Sequence, residues 1–290
     1  MNIHESTEPD TEKKTDSILG IECAVSYDYS LDLGTVVISW IKKSESRYIC
    51  CANVHMLVIA KESREFRDVI TSADLITLDG RPIFWLVFLK NIFYYFLGYS
   101  PLNKHRILQF CGRDVMEETI KLASDMSFPI GFYGNRKEVL DSLISKIKAD
   151  YSKVRINYIF SPPFRPLSPQ EDMEIISAIN RSNIRILFVS LGCPKQEYWM
   201  HDKKNKVQAV MIGVGGAFEV VSNFKPRPPK VVQNLGFEWL FRLLLEPNRL
   251  IFRNLYYSPK FVLILLTRFI LKSIKYSRSR LHIIKFSVSR

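Results

Sequence analysis

The chain has 290 residues, 47% of them hydrophobic and 24% charged, which excludes a disordered or fibrous protein and allows one large core or two modest ones. Lys and Arg number 41 against 29 Asp and Glu, so the formal charge is +12 and the partner to expect is anionic: nucleic acid, phospholipid headgroups or phosphate-bearing small molecules. Five cysteines, Cys23, Cys50, Cys51, Cys111 and Cys193, show no CxxC or Cys/His ligand spacing, which points to reduced thiols in a cytoplasmic compartment and away from disulfides or zinc.

The chain opens with MNIHESTEPDTEKKTD, acidic and polar without an apolar core, so it is not read as a signal peptide; residues 1–17 are expected to be a disordered tail. From Ile18 strand-like and helix-like runs alternate. Leu31 to Lys43 is apolar at helical spacing, Tyr48 to Asn53 reads as a strand, and Val54 to Ala73 as one helix with its charges in the middle. Leu75 to Leu78 is a short strand ending at Asp79-Gly80. Pro129 to Tyr133, Val154 to Phe160, Ile184 to Ser190 and Ala209 to Val214 read as strands, separated by charged helical stretches at Arg136 to Asp150 and Pro169 to Ser182. Apolar runs bounded by Gly and Pro suit strands buried on both faces, and their alternation with helices predicts an α/β fold with a mostly parallel, Rossmann-like sheet flanked by helices.

Two stretches depart from this pattern. Pro82 to Gly98 is almost wholly apolar but carries Lys90 and Asn91 at its centre, which makes it marginal as a bilayer span; it reads as a buried helix or as one lying in a membrane interface. Beyond Glu246 there is no acidic residue, while ten Lys and Arg from Arg249 to Arg290 are interleaved with FVLILL, FILKSI and LHIIKF. That mixture suits an anionic membrane surface, or a solvated basic helix packed on its own domain. No helix-turn-helix, zinc-finger or aromatic RNA-binding signature accompanies the charge, so nucleic acid is not expected.

In a parallel sheet, ligands bind at the carboxyl ends of strands, which directs attention to four places. Asp79 stands at a strand end before Gly80, as a general base or metal ligand would; an Asx turn explains it equally well. Its neighbour Asp74 precedes the strand and reads as a turn or cap. In GCPKQE, Pro194 suits a first helical turn, so Lys195, Gln196 and Glu197 stand where free N–H groups attract an anion. Lys195 could neutralise a phosphate, and Gln196 could donate to and accept from a sugar or base. GVGGAF, with Gly213, Gly215 and Gly216, lets a pyrophosphate or sugar approach the backbone, although it is not the GxGxxG fingerprint; no P-loop, Ser-His-Asp set or HExxH is present. Finally, Arg227, Arg242, Arg249 and Arg253 accompany Phe237, Trp239 and Phe241, which reads as a diphosphate clamp with an apolar wall or as a terminal amphipathic helix with surface arginines.

Taken together and in order, ANVHM, SADLITLDGRP, CGRDVM, GFYGN, SPPFRPLSPQE, ILFVSLGCPKQEYWM, GVGGAFEV, RPP, GFEWLFRL and EPNR resemble the WecG/TagA/CpsF glycosyltransferase family of bacterial surface-polysaccharide synthesis. The likeness spans Ile18 to about Arg253. It implies a Rossmann-like core, here residues 18–235, and a helical, basic, membrane-meeting appendage, here residues 236–290. It implies transfer of a hexose or N-acetylhexosamine, of ManNAc type included, from a UDP-sugar to a polyprenyl-diphosphate-linked saccharide. The reaction would be inverting, without metal or other cofactor, by an enzyme held peripherally at the cytoplasmic membrane face; a homo-oligomer is left open. The resemblance matches Asp79 to the family's base, Gln196 to its donor-site glutamine, and Arg242 and Arg249 to its appendage arginines, with Arg253 one place displaced from the third; joined to the reading of the motifs, this gives Asn53, Lys195, Gln196, Glu197, Gly213, Gly215 and Gly216 as the donor set and Arg227, Arg242, Arg249 and Arg253 as the acceptor-diphosphate set. Departures from the family pattern are Cys51 in place of Thr, Gln109 in place of Arg, Asn223 in place of Gly and Glu219 in place of Asp. The rival reading is a non-catalytic peripheral membrane adaptor that binds lipid-linked sugars.

Overall fold

The computed structural model describes residues 14–19, 21–26, 33–79, 83 and 111–287. Among them, eight strands form one sheet in the order β1-β2-β4-β3-β8-β7-β5-β6. These are β1 (Lys14–Ile18), β2 (Ile21–Ser26), β3 (Arg47–Ala52), β4 (Leu75–Leu78), β5 (Pro129–Gly134), β6 (Arg155–Phe160), β7 (Ile186–Ser190) and β8 (Val210–Gly213). Every neighbouring pair is parallel except β1 with β2, an antiparallel hairpin at one edge. That hairpin was not foreseen, and its first strand starts inside the stretch expected to be a tail; residues 1–13 lie outside the described residues.

The strands are double-faced. In β7, Leu187 and Val189 enter one apolar cluster while Ile186 and Phe188 enter the other; in β3, Tyr48, Cys50 and Ala52 alternate with Ile49 and Cys51 in the same way. With a period of two, each strand can serve cores on both sides only if nearly every residue is apolar, which is why the runs read as unbroken. The first cluster is closed by α2 (Val54–Glu62), α3 (Arg64–Thr71), α6 (Pro169–Arg181) and α7 (Lys195–Lys203). The second is closed by α1 (Leu33–Lys42), α4 (Gly112–Asp125), α5 (Lys137–Asp150) and α8 (Ala217–Val221).

One predicted helix is two. Val54 to Ala73 breaks at Ser63, whose extended backbone ends α2 while its hydroxyl accepts from the Phe66 N–H at 3.1 Å to start α3. Serine favours a cap over a helix interior, and the break lets α3 present Phe66 and Ile70 to the core at a new angle. The apolar stretch Pro82 to Gly98 lies outside the described residues apart from Ile83, which is buried.

Beyond β8 come α9 (Lys230–Leu235), ended by Gly236 in the left-handed conformation, then α10 (Glu238–Leu245) and α11 (Pro247–Ser287). The long helix lies against α2. Phe261 is buried in the first core cluster, the His55 and Tyr257 rings meet edge to face at 4.3 Å, and Lys260 pairs with Glu62. This anchoring carries the start of α11 across the carboxyl edge of the sheet. Among the described residues no helix is long and apolar enough to cross a membrane.

Candidate active site

Two halves of the sheet meet where β3 pairs with β8, Cys50 lying opposite Gly213. Since β3, β4, β7 and β8 are parallel, Asn53, Asp79, Gly192 and Gly215 all follow carboxyl ends along one edge. The topology thus collects Asn53, Asp79, GCPKQE and GVGGAF at one rim.

On the β5–β7–β8 side the rim opens into a cleft of about 1100 Å³, bordered by the loop from Pro162 to Pro169 and by Lys195, Gly215, Gly216 and Arg249. Its floor is tied together by hydrogen bonds. Gly134 ends β5 with φ +111, and a Cβ there would stand 2.4 Å from the Ser190 carbonyl oxygen, so only glycine fits the close crossing. Asn135 then donates its Nδ2 to Ser190 Oγ at 3.2 Å, and Ser190 Oγ donates to the Gly215 carbonyl at 2.6 Å. Tyr133 and Trp199 stack at 4.4 Å to make an aromatic wall. Lys225, held by Glu219 and by Glu246 at 2.6 Å, links the loop after α8 to the appendage. Glu219, where the resemblance expects Asp, is therefore an ion-pair partner of Lys225.

GCPKQE folds as a tight entry into α7. The Cys193–Pro194 peptide is cis and Pro194 stands just before the helix, so Lys195, Gln196 and Glu197 are its first three residues. Lys195 is exposed at the cleft. Gln196 is buried: its Oε1 accepts from the Gly215 N–H at 3.1 Å, and its Nε2 donates to Glu197 Oε1 at 2.6 Å. Met200 Cε and Gln196 Nε2 would lie 2.6 and 3.2 Å from a Cβ on Gly213, so that glycine lets the helix press against β8. Glu197 has no exposed surface. Burial pushes its carboxyl up to about 7, against hydrogen bonds from Gln196 and Cys193, and its Oε2 has no partner. Glu197 was assigned to the donor set with Gln196; it lies instead beneath the site and reaches the rim only through Gln196.

Asn53 caps α2, accepting from the Met56 N–H at 3.1 Å with its side-chain oxygen, so only its amide N–H₂ group remains for a ligand. Asp79 follows β4, its backbone N–H bonded to the Ala52 carbonyl at 2.8 Å. Burial pushes its carboxyl up to about 6; Arg242 and Arg113 oppose that rise while Glu238 and Asp114 add to it. Arg242 and Glu238 belong to α10, so the appendage lies within electrostatic reach of Asp79. Arg253 is exposed on α11, yet partial desolvation of its guanidinium, then Arg249 and Arg242, hold it below the usual range, so these three arginines form one cationic cluster. Arg249 also pairs with Glu246 at 2.7 Å. Arg227 stands elsewhere, in a loose pair with Glu117 of α4 at 3.7 Å.

Other side chains have structural work. Asp74 accepts from the Tyr48 N–H at 3.0 Å and pairs with Arg47 and Lys204, as a turn residue would. Cys51 is buried in the second core cluster, opposite Thr77 on β4, and Cys193 bonds to Glu197, so neither thiol is free for attack. Gln109 lies outside the described residues. Among the described residues no three His, Cys, Asp or Glu side chains are grouped to hold a metal ion.

Asn135, Ser190, Tyr133 and Trp199 were not chosen from sequence as site residues. GFYGN was the available signal for two of them, a glycine and an asparagine closing an apolar run at the same sheet edge.

The description "Glycosyl transferase WecG/TagA/CpsF family" belongs to the family model that matches residues 17–275. Among curated relatives, the chain is 29% identical over 220 residues to an N-acetylglucosaminyldiphosphoundecaprenol N-acetyl-beta-D-mannosaminyltransferase of Bacillus subtilis (strain 168). That alignment covers 75% of this chain and 78% of the relative.

Proposed function

Because the chain belongs to the WecG/TagA/CpsF glycosyltransferase family, we propose that it transfers a sugar from a UDP-sugar to a polyprenyl-diphosphate-linked saccharide, inverting the anomeric centre without a metal ion. The observation that carries this reading is Asp79, a carboxyl raised to about 6 at the sheet's carboxyl edge, with Arg242 of the appendage in electrostatic reach. A carboxylate of that pKa is ionised at neutral pH yet basic enough to accept a proton in a transition state. Asp79 takes the proton of an acceptor hydroxyl as its oxygen bonds to the anomeric carbon; the bond from that carbon to UDP breaks on the opposite face, and UDP leaves with the electron pair. The donor occupies the cleft beside Lys195 and the Gly215 turn, with Trp199 at its border. Cationic side chains take up the charge of the leaving diphosphate, the part a metal ion plays elsewhere.

The relative's printed name favours an N-acetylhexosamine, of N-acetylmannosamine type, as the transferred sugar and an undecaprenyl-diphosphate-linked N-acetylglucosamine as acceptor. The membrane assignment draws on α10 and α11, where Leu244 and Phe252 are 74% and 80% exposed on a surface rich in Arg and Lys and devoid of acid beyond Glu246. We place the enzyme peripherally at the cytoplasmic face, where nucleotide sugars and lipid-linked acceptors meet. The test is UDP release across a panel of UDP-sugars with a lipid-diphosphate sugar acceptor, with and without chelator. Release with one hexosamine donor, unaffected by chelator, is expected; silence with every donor would favour the adaptor, and loss on chelation would overturn the metal-free mechanism.

A further inference from the structure

Gly215 and Gly216 flank one peptide plane at the cleft, and neither has a Cβ to fix which way that plane faces. Gly215 holds φ +53 and Gly216 φ −72. The bond between them is trans, so its carbonyl and its N–H point in opposite directions. Turning the plane over would exchange the Gly216 N–H for the Gly215 carbonyl, a donor for an acceptor, with little steric resistance between two glycines.

A series of side chains decides between the two orientations. The Gly215 carbonyl accepts from Ser190 Oγ at 2.6 Å. A carbonyl can only accept, so the single hydroxyl proton of Ser190 is committed there, and the same oxygen accepts in turn from Asn135 Nδ2 at 3.2 Å. Asn135 cannot offer its oxygen instead, because Oδ1 accepts from the Arg136 N–H at 2.8 Å. Its backbone is tied as well, the N–H donating to the Ser190 carbonyl at 2.9 Å and the carbonyl accepting from Ser161 Oγ at 2.7 Å. Each link therefore has one direction only. Ser190 is 6% exposed, which limits competition from water for its proton. On the other side the Gly215 N–H goes to Gln196 Oε1, which fixes the preceding peptide plane. With the Gly215 carbonyl drawn to Ser190, the Gly216 N–H points away from it. Gly216 is exposed and lines the cleft, and among the described residues its N–H has no partner.

We propose that Ser190 is a positioning residue: its hydroxyl, oriented by Asn135, keeps the Gly215–Gly216 peptide turned so that the Gly216 N–H bonds an oxygen of the nucleotide donor. The identity of that ligand rests on the glycosyltransferase reading; the locked peptide does not. Neither Ser190 nor Asn135 touches the reacting atoms, and both act through the turn.

The test compares full-length Ser190→Ala and Asn135→Gly with the parent. Ser190→Ala takes the donor from the Gly215 carbonyl. Asn135 has φ +64, which glycine adopts without strain, so Asn135→Gly removes the amide and keeps the backbone. In Ser190→Ala, calorimetry should show UDP affinity about tenfold weaker, as one hydrogen bond lost to the ligand would give. The KM for UDP-sugar should rise by the same factor while kcat changes less, a split that general loosening of the fold would not produce. Asn135→Gly should fall between the parent and Ser190→Ala, since the hydroxyl keeps its proton but loses the group that aims it; it carries the same comparison if Ser190→Ala does not fold. Uridine locates the oxygen: affinity weakened as much as for UDP assigns it to the nucleoside, unchanged affinity to the diphosphate. The crystal structure of Ser190→Ala should show the Gly215 carbonyl turned toward the cleft, or in both orientations. An unmoved peptide plane, or unchanged UDP affinity and donor KM, in a Ser190→Ala variant that melts like the parent overturns the proposal. A parent that binds no UDP and is silent with every UDP-sugar would instead retire the glycosyltransferase reading, and the two crystal structures would still decide whether Ser190 sets the plane.

Discussion

The side-chain oxygen of Gln196 accepts a hydrogen bond from the backbone N–H of Gly215 at 3.1 Å, so the first turn of α7 holds the glycine turn after β8. A residue selected from sequence for its ability to contact a sugar is, in the folded chain, already committed to shaping the backbone that would contact it. Replacing Gln196 with Leu should leave the Gly215 N–H without a partner and remove one of the hydrogen bonds to Glu197. We expect a loss of about 1–3 kcal/mol in stability and a KM for donor roughly tenfold higher, measured by urea unfolding and initial rates. Unchanged donor KM in a folded variant would separate the turn from donor binding.

Asp79 sets the second prediction. Asp79→Asn should lower kcat by roughly 10²- to 10⁴-fold with both substrates saturating, as expected when a general base is removed. The parent should lose rate as pH falls below about 6, because the folded carboxyl is raised to that value by burial and only its ionised form accepts a proton. Near wild-type turnover in Asp79→Asn would remove the base assignment.

Arg242→Gln tests the link between appendage and base. Arg242 opposes the rise in the Asp79 pKa, so its loss should raise that pKa further and carry the acid limb to higher pH, in a pH–rate series. An unmoved acid limb would mean that the appendage does not lie within electrostatic reach of Asp79 during turnover.

Glu197 predicts a pH dependence of stability. Its folded carboxyl, near 7, is above its ordinary value of 4.5, so its contribution is fully present below about 4.5 and is lost as pH rises through about 7. A shift of that size corresponds to on the order of 3 kcal/mol. Glu197→Gln, whose side-chain oxygen can still accept from Gln196, should therefore gain stability over the parent at pH 9 and little at pH 4. Parallel melting curves for the two proteins from pH 4 to 9 would exclude a Glu197 that ionises in the folded chain.

The exposed apolar surface of α11 sets the last prediction. Phe252 and Leu255 are 80% and 68% exposed and are interleaved with Arg249, Arg253 and Lys260. The full chain should float with vesicles rich in anionic lipid at low salt and release as salt screens the headgroups. The Phe252→Glu/Leu255→Glu double variant should bind less at every salt concentration; equal flotation would place the membrane contact elsewhere.

How much of this was legible beforehand follows from the range of each signal. Strand and helix periods are local, so β3, β4, β5, β7 and β8 and most of their helices could be read from unbroken apolar runs between Gly and Pro, and the family motifs could be read in order. The hairpin of β1 and β2 was not, because DSILGIECAVS is too short to declare a pairing. The break at Ser63 was hidden inside a continuous helical pattern that only the packing of Phe66 against the core resolves.

The sequence by itself determined that the chain would build a parallel sheet, with Asp79, GCPKQE and GVGGAF at strand ends, since burial on both faces leaves polar and glycine residues only at the rims. Which of those residues would face a ligand was decided by tertiary structure alone. Gln196 and Glu197 are adjacent in sequence, yet one supports the Gly215 turn while the other is sealed beneath it. Such outcomes depend on contacts between segments distant in the chain, and a side chain's remaining hydrogen-bonding capacity is known only once those partners are in place.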